Sequence, residues 1–226
     1  MSVRLNLVEI AHSLQRVENE WPAIDAALHR SGIGRKDPFT AVLRQNVLNA
    51  YAYLDDLLAA SIEPLCDGAI EHLLTLNERV HYGNDPRLRT EFAPAIEANA
   101  ERFYTNIEAV HAWHQTHARR GEHPYKLAAE AYVSIVGQPQ LFMEGNHRTG
   151  SLIANWINLF AGYPPFVLSV DNALAYFAAS AEIKQFADKS TWLGRRRLPE
   201  YRKSFRTFWE QLVEAKYVLQ TSHRWH

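Results

Sequence analysis

Apolar residues recur along most of the chain at intervals of three and four, the period of one face of an α-helix. Asp37-Pro38 reads as an N-cap followed by proline at the first helical position. Leu43, Val47, Tyr51, Leu54 and Leu58 then form one stripe. Ile70, Leu73 and Leu74 begin another after Asp67-Gly68. Ile96, Ala100, Phe103, Ile107, Val110 and His114 form a third, stopped at Arg119-Arg120-Gly121 by last-turn cations and a glycine. Tyr125, Ala128, Tyr132 and Ile135 mark a fourth helix after His123-Pro124. Leu152, Ile153, Trp156, Ile157 and Phe160 mark a fifth, closed by Gly162 and Pro164-Pro165. Two more helices are predicted near 172–187 and 198–219, the last carrying Tyr201, Phe205, Phe208 and Leu212. Period-two alternation is scarce. Its best site is His81 to Phe92, where Tyr82-Gly83-Asn84-Asp85-Pro86 supplies turn chemistry for a short β-hairpin or flap. The pattern predicts an all-α domain with one hairpin at most.

Composition narrows the class. The 226 residues suffice for one large domain or a domain with a small appendage. Ser31-Gly32-Ile33-Gly34 breaks the pattern, so residues 1–36 read as an N-terminal helical extension and 37–226 as the main domain. With 47% hydrophobic and 22% charged residues, the chain is an ordinary globular one. A formal charge of -1 gives no general attraction to nucleic acid or an anionic membrane. No apolar run approaches the ~20 residues of a membrane span. The first fifteen residues carry Glu9 and His12 within their apolar stretch and make a poor signal peptide. Cys66, the single cysteine, cannot form an internal disulfide, and a cytoplasmic location is expected.

The candidate chemistry lies in Gln140-Leu141-Phe142-Met143-Glu144-Gly145-Asn146-His147-Arg148-Thr149-Gly150-Ser151, between the fourth and fifth helices. Gly145 lets the backbone turn tightly or approach a ligand. Asn146 tolerates left-handed conformations and can cap the next helix. The first turn of that helix offers unpaired N–H groups and the positive end of the dipole, which attract anions. Arg148 is unfavourable in that turn unless an anion pairs with its guanidinium fork. Glu144 facing a phosphate makes sense with a divalent cation between them. Phe142 is expected to anchor the loop in the core. Simple capping by Gly-Asn and a plain Glu–Arg ion pair account for the same residue types.

The segment resembles the signature of the Fic (Fido) family, His-x-Phe-x-(Asp/Glu)-Gly-Asn-Gly-Arg-x-x-Arg. Phe142, Glu144, Gly145, Asn146 and Arg148 match in register. The resemblance extends over about residues 60–170, with the 81–92 stretch where the family carries a target-positioning hairpin. It implies a Fic-like helical bundle that transfers AMP from ATP to a protein hydroxyl, or phosphate in Doc-like relatives. It also implies roles. Glu144 would ligand Mg²⁺ on the phosphates. Gly145, Asn146 and His147 would hold the transferred phosphate, and Arg148 with Ser151 would lie on the phosphate tail. The implied partners are a nucleotide and a protein target, with no nucleic acid or membrane; a homodimer is left open.

Three positions depart from the pattern. Gln140 stands where the family has the histidine that takes the proton of the attacking hydroxyl, and an amide has no useful basicity. His147 replaces the second glycine, where Doc-like proteins have lysine. It reads as an extra phosphate ligand, a displaced acid or base, or a loop cover bonded to a carbonyl. Ser151 replaces the second arginine. The expected function is nucleotide binding with reduced or altered AMP transfer. The alternatives are a Doc-like phosphotransferase and an inactive binding or regulatory module. Many Fic proteins are restrained by a helix with Ser/Thr-x-x-x-Glu-(Gly/Asn). Glu18-Asn19 has that ending, but Leu14 holds the Ser/Thr position, so a surface helix is the preferred reading. His111, His114 and His117 share a helix but lack an acidic or cysteine partner in register, so a zinc site is not expected. His223 and His226 sit at a terminus expected to fray. Arg195-Arg196-Arg197 reads as a solvated run in a loop, and the tryptophans mostly as core.

Overall fold

The computed structural model describes residues 3–34 and 38–219. Asp37, expected as an N-cap, lies outside these residues, as do His223 and His226. The helices are α1 (Leu7–Arg30), α2 (Ala41–Ala59), α3 (Ile70–Tyr82), α4 (Pro86–Glu91), α5 (Ala93–Arg119), α6 (Pro124–Val136), α7 (Asn146–Phe160), α8 (Ala173–Phe186) and α9 (Trp192–Leu212). The only β pairing among the described residues is three isolated bridges: Leu5 with Val218, Gln138 with Asp188 and Phe166 with Val213. The all-α expectation holds.

Local departures have local causes. α2 starts at Ala41 because Thr40 caps it, its hydroxyl accepting from the Leu43 N–H at 3.2 Å. No hairpin forms over 81–92. Gly83, at φ +61°, ends α3 instead. Asp85 accepts from the Arg87 N–H at 2.9 Å, and Pro86 opens α4. The turn residues are a helix stop followed by a helix start, and Tyr82 and Phe92 stack at 5.3 Å. Arg195, Arg196 and Arg197 are exposed as expected but helical, because α9 begins at Trp192 under a Thr191 cap. Trp21, Trp156 and Trp209 are core, whereas Trp192 is 67% exposed.

α7 runs through the centre and is buried over nearly its whole length. It packs chiefly on α6, and α6 packs in turn on α9. Tyr132 of α6 stacks on Phe205 of α9 with ring centroids 4.0 Å apart. Beside them the buried Glu130 carboxylate pairs with Arg202 of α9 and accepts from the Ser134 hydroxyl. Burial pushes the Glu130 carboxyl above the ordinary range, Arg202 opposing the shift. α1 contributes Ile10, Leu14, Val17 and Leu28 to the same hydrophobic cluster and packs on α2 and α8. No helix among the described residues is long and apolar enough to cross a membrane.

The histidines of α5 gather no metal set; no group of three potential ligands occurs among the described residues. His111 faces Asp67 at 3.1 Å, and His117 stacks on Trp113 at 3.9 Å. His114 is buried, and neither ring nitrogen has a hydrogen-bond partner. Burial, with help from His111, pushes its pKa down to about 4. The unfolded chain therefore binds one more proton than the native state between about pH 6.5 and pH 4. Native stability is expected to fall as pH falls through this window, by up to about 1.4 kcal/mol per pH unit from this group. Urea titrations of the wild type and His114→Leu at several pH values test this; parallel pH curves would refute it.

Candidate functional site

The loop before α7 is fixed by side chains from three directions. Phe142 is fully buried and stacks on Phe103 of α5, centroids 5.3 Å apart and planes 9° from parallel, so the expected anchor is present. Asn146 is the first residue of α7 rather than its cap. Its Oδ1 accepts from the Phe142 N–H and its Nδ2 donates to the Phe142 carbonyl, both at 2.9 Å. This two-way clamp folds the loop back onto the helix start. Asn77 of α3 donates to the Glu144 carbonyl at 3.0 Å and to the Thr149 hydroxyl at 2.9 Å. Asn99 of α5 accepts from the Met143 N–H and donates to Asn77, both at 2.9 Å.

Gly145 takes the N-cap position at φ +72°. A Cβ there would clash with His81 Nε2 and lie 3.0 Å from Asn77 Nδ2. Both the backbone and the space therefore require glycine. No side chain caps α7. The N–H groups of its first turn and the positive end of its dipole thus meet a cavity of about 330 Å³. Every position assigned to phosphate or catalysis lines this cavity: Gln140, Glu144, Gly145, Asn146, His147, Arg148 and Ser151. Apolar residues from α1, α2, α8 and the segment before α2 complete it, among them Leu14, Val47, Phe177 and Phe39.

The side chains divide in use. Glu144 is exposed, and among the described residues it is the only acidic one lining the cavity. Burial pushes the nearby Tyr82 phenol up, and the Glu144 charge adds to the shift. Arg148 donates from Nη1 to the Val80 carbonyl at 2.9 Å, in the last turn of α3. The cation that burdens the start of α7 thus favours the end of α3. Gln140 donates to the Val136 carbonyl at 3.2 Å, and its own carbonyl accepts from Arg102 of α5 at 3.0 Å. Glu18, the acidic residue of the helix motif weighed above, accepts from Arg44 at 2.6 Å and does not line the cavity.

A second polar group, not legible in the sequence pattern, adjoins the loop. Tyr132 of α6 lies on a stripe that reads as core, and Tyr176 and Ser180 of α8 lie in a helix for which no stripe is read. Their hydroxyls meet around His147 and Ser151. The Tyr132 hydroxyl is 3.1 Å from His147 Nδ1 and 2.7 Å from the Ser180 hydroxyl. Tyr176 donates to the His147 carbonyl at 3.1 Å and lies 3.0 Å from the Ser151 hydroxyl. Asn77, Asn99 and Arg102 also went unnoticed. Polar residues on a helix stripe look like any solvent-facing position until the tertiary contacts are known.

Gly145→Ala tests the turn. The methyl group meets His81 and Asn77 at an unfavourable φ, so a loss of about 1–2 kcal/mol is expected in urea unfolding. An alanine variant as stable as the wild type would show that the loop does not need this conformation.

No family model matches the sequence. No curated protein matches it. The structure superposes on the crystal structure of a Fic domain-containing signalling protein from Bacteroides thetaiotaomicron with a TM-score of 0.52. The match covers 89% of this chain and 80% of the other, at 16% sequence identity. At that identity the likeness speaks for the fold, and the fold of this chain is that of a Fic domain.

Proposed function

We propose that the protein binds the phosphates of a nucleotide at the head of α7 and transfers AMP to a protein hydroxyl, with activity reduced or altered by Gln140. One observation carries this reading: α7 begins without a side-chain cap, and its first-turn N–H groups meet a cavity lined by Glu144, His147 and Arg148. An uncapped helix start is an anion site by charge and by hydrogen-bond geometry. Magnesium fits the donor set only in company with phosphate oxygens, because Glu144 is the single carboxylate lining the cavity among the described residues. Glu144 would hold the ion, which would supply charge neutralisation on the phosphates. The backbone N–H groups and Arg148 would orient the phosphates and stabilise charge.

A second reading, a binding module without catalysis, is favoured by Gln140. Its amide bonds to the Val136 carbonyl and supplies no base toward the cavity. Loss of a general base typically slows such reactions roughly 10²–10⁴-fold without preventing binding.

Calorimetry with ATP and Mg²⁺ is expected to show binding. Arg148→Ala should weaken it about tenfold while thermal unfolding confirms that the variant folds. ATP labelled at the α- or γ-phosphate, incubated with cell lysate, then separates AMP transfer, phosphate transfer and binding alone. Gln140→His should raise transfer of the α-label. If no nucleotide binds, the reading is wrong.

A further inference from the structure

One face of α8 lines the cavity. Tyr176, Phe177, Ser180, Ala181 and Lys184 recur at intervals of three and four, and all five border it. The hydroxyls of Tyr176 and Ser180 contact those of Ser151 and Tyr132. Lys184 differs from its neighbours. It is exposed, so it stands at the rim, and it has no hydrogen-bond or ion-pair partner among the described residues. A lysine in the last turn of a helix is favourable on its own account. The dipole does not explain why this one lies on the cavity face.

The contacts of α8 locate this cation. Tyr176 meets the Ser151 hydroxyl, in the second turn of α7, and donates to the His147 carbonyl, in the first. Ser180, one turn further along α8, meets the Tyr132 hydroxyl, which faces His147 Nδ1. α8 therefore advances toward the head of α7 as it proceeds. Lys184 follows by one more turn, about 6 Å along the axis. It stands ahead of the first residues of α7, where the unpaired N–H groups face, and its four-carbon stem gives the ammonium reach.

Charge agrees with position. Among the described residues lining the cavity, Arg148 and Lys184 are the full-time cations and Glu144 is the one acid. Arg148 has a guanidinium nitrogen committed to the Val80 carbonyl. An anion at the head of α7 thus has fixed N–H groups on one side and a mobile ammonium ahead of it. A second phosphate joined to the first would extend outward, toward that ammonium.

We propose that Lys184 is a phosphate-binding residue that makes the site prefer a chain of two or more phosphates to a single one. The first phosphate sits on the N–H groups of α7, and the next, directed out of the cavity, is taken by the Lys184 ammonium. The ligand class is a nucleoside di- or triphosphate, with inorganic pyrophosphate as its smallest form. The inference rests on the phosphate-site reading above and gives the bound chain a direction.

The test is calorimetry on the full chain, with inorganic phosphate and with pyrophosphate as the two probes. The variants are Lys184→Gln, Lys184→Arg and Lys203→Gln. Lys203 is exposed on α9 and does not line the cavity, so its variant removes the same charge elsewhere. The wild type should bind pyrophosphate about tenfold more tightly than phosphate. Lys184→Gln should lose about fivefold for pyrophosphate and less than about twofold for phosphate, the worth of one charged contact at an exposed rim. Lys184→Arg should keep most of the pyrophosphate affinity, and Lys203→Gln all of it. Thermal unfolding of Lys184→Gln should match the wild type, since the side chain is exposed. Undiminished pyrophosphate binding by Lys184→Gln would overturn the inference. So would an equal loss for both probes, or an equal loss in Lys203→Gln, which would mark a long-range charge effect. Each of these results leaves the phosphate site standing. A wild type that binds neither probe would sink the phosphate-site reading itself, and this inference with it.

Discussion

The chain enters α7 through a left-handed residue packed against His81 and Asn77, where a Cβ has no room. That turn decides where the helix can begin. It places the Gly145 carbonyl to accept from the Thr149 N–H, while the N–H groups of the first turn before it have no partner within the helix. Asn146 then spends its amide on Phe142 in both directions, so the loop cannot open without losing two hydrogen bonds and a buried ring stack. The same residues that close the loop are therefore unavailable to cap the helix. An uncapped start is the consequence of how the loop is held, and the cavity at its mouth inherits the positive end of a buried helix.

Holding that start in place takes most of the bundle. α3 and α5 reach the loop through Asn77, Asn99 and Arg102, which bond its backbone carbonyls and an N–H. α6 and α8 reach it through Tyr132 and Tyr176. Further along α7, Asn155 grips Phe166 by its N–H at 2.8 Å and its carbonyl at 2.7 Å, repeating the Asn146 device at a second chain reversal. Buried amides that satisfy both groups of one peptide residue fix geometry at little desolvation cost, because each donor and acceptor lost to water is replaced. This explains Asn146 and Asn155, core positions of α7 where leucine would pack as well.

Periodicity revealed the helices because each buries one apolar face, and that signal survives in a single sequence. Leu43 to Leu58 and Tyr125 to Ile135 were readable on this ground. The stretch from 81 to 92 was misread because glycine, asparagine and proline mark a reversal without stating what it joins. Only the position of Asp85 before Pro86 distinguishes a helix start from a hairpin turn. α9 begins six residues before the expected 198, since its first turn is exposed and carries no stripe. At the site, loop residues were legible because their spacing matches a known pattern. The residues that hold the loop were not, because Asn77, Asn99 and Tyr132 lie far from it in sequence and resemble ordinary helix positions.

The two departures from the pattern, Gln140 and His147, make more sense together than apart. Val136 ends α6, and its carbonyl is one of the four left without a helical partner. The Gln140 amide satisfies it, and Arg102 holds the Gln140 carbonyl. Position 140 thus serves the end of α6. His147 is placed differently, with its imidazole at the cavity and its Nδ1 against a phenol. One end of the loop caps a helix, while an ionisable ring stands at the other, on the second residue of α7. The ionisable ring thus stands at the residue that leaves the loop and not at the one that enters it, with the buried hydroxyls of α6 and α8 beside it.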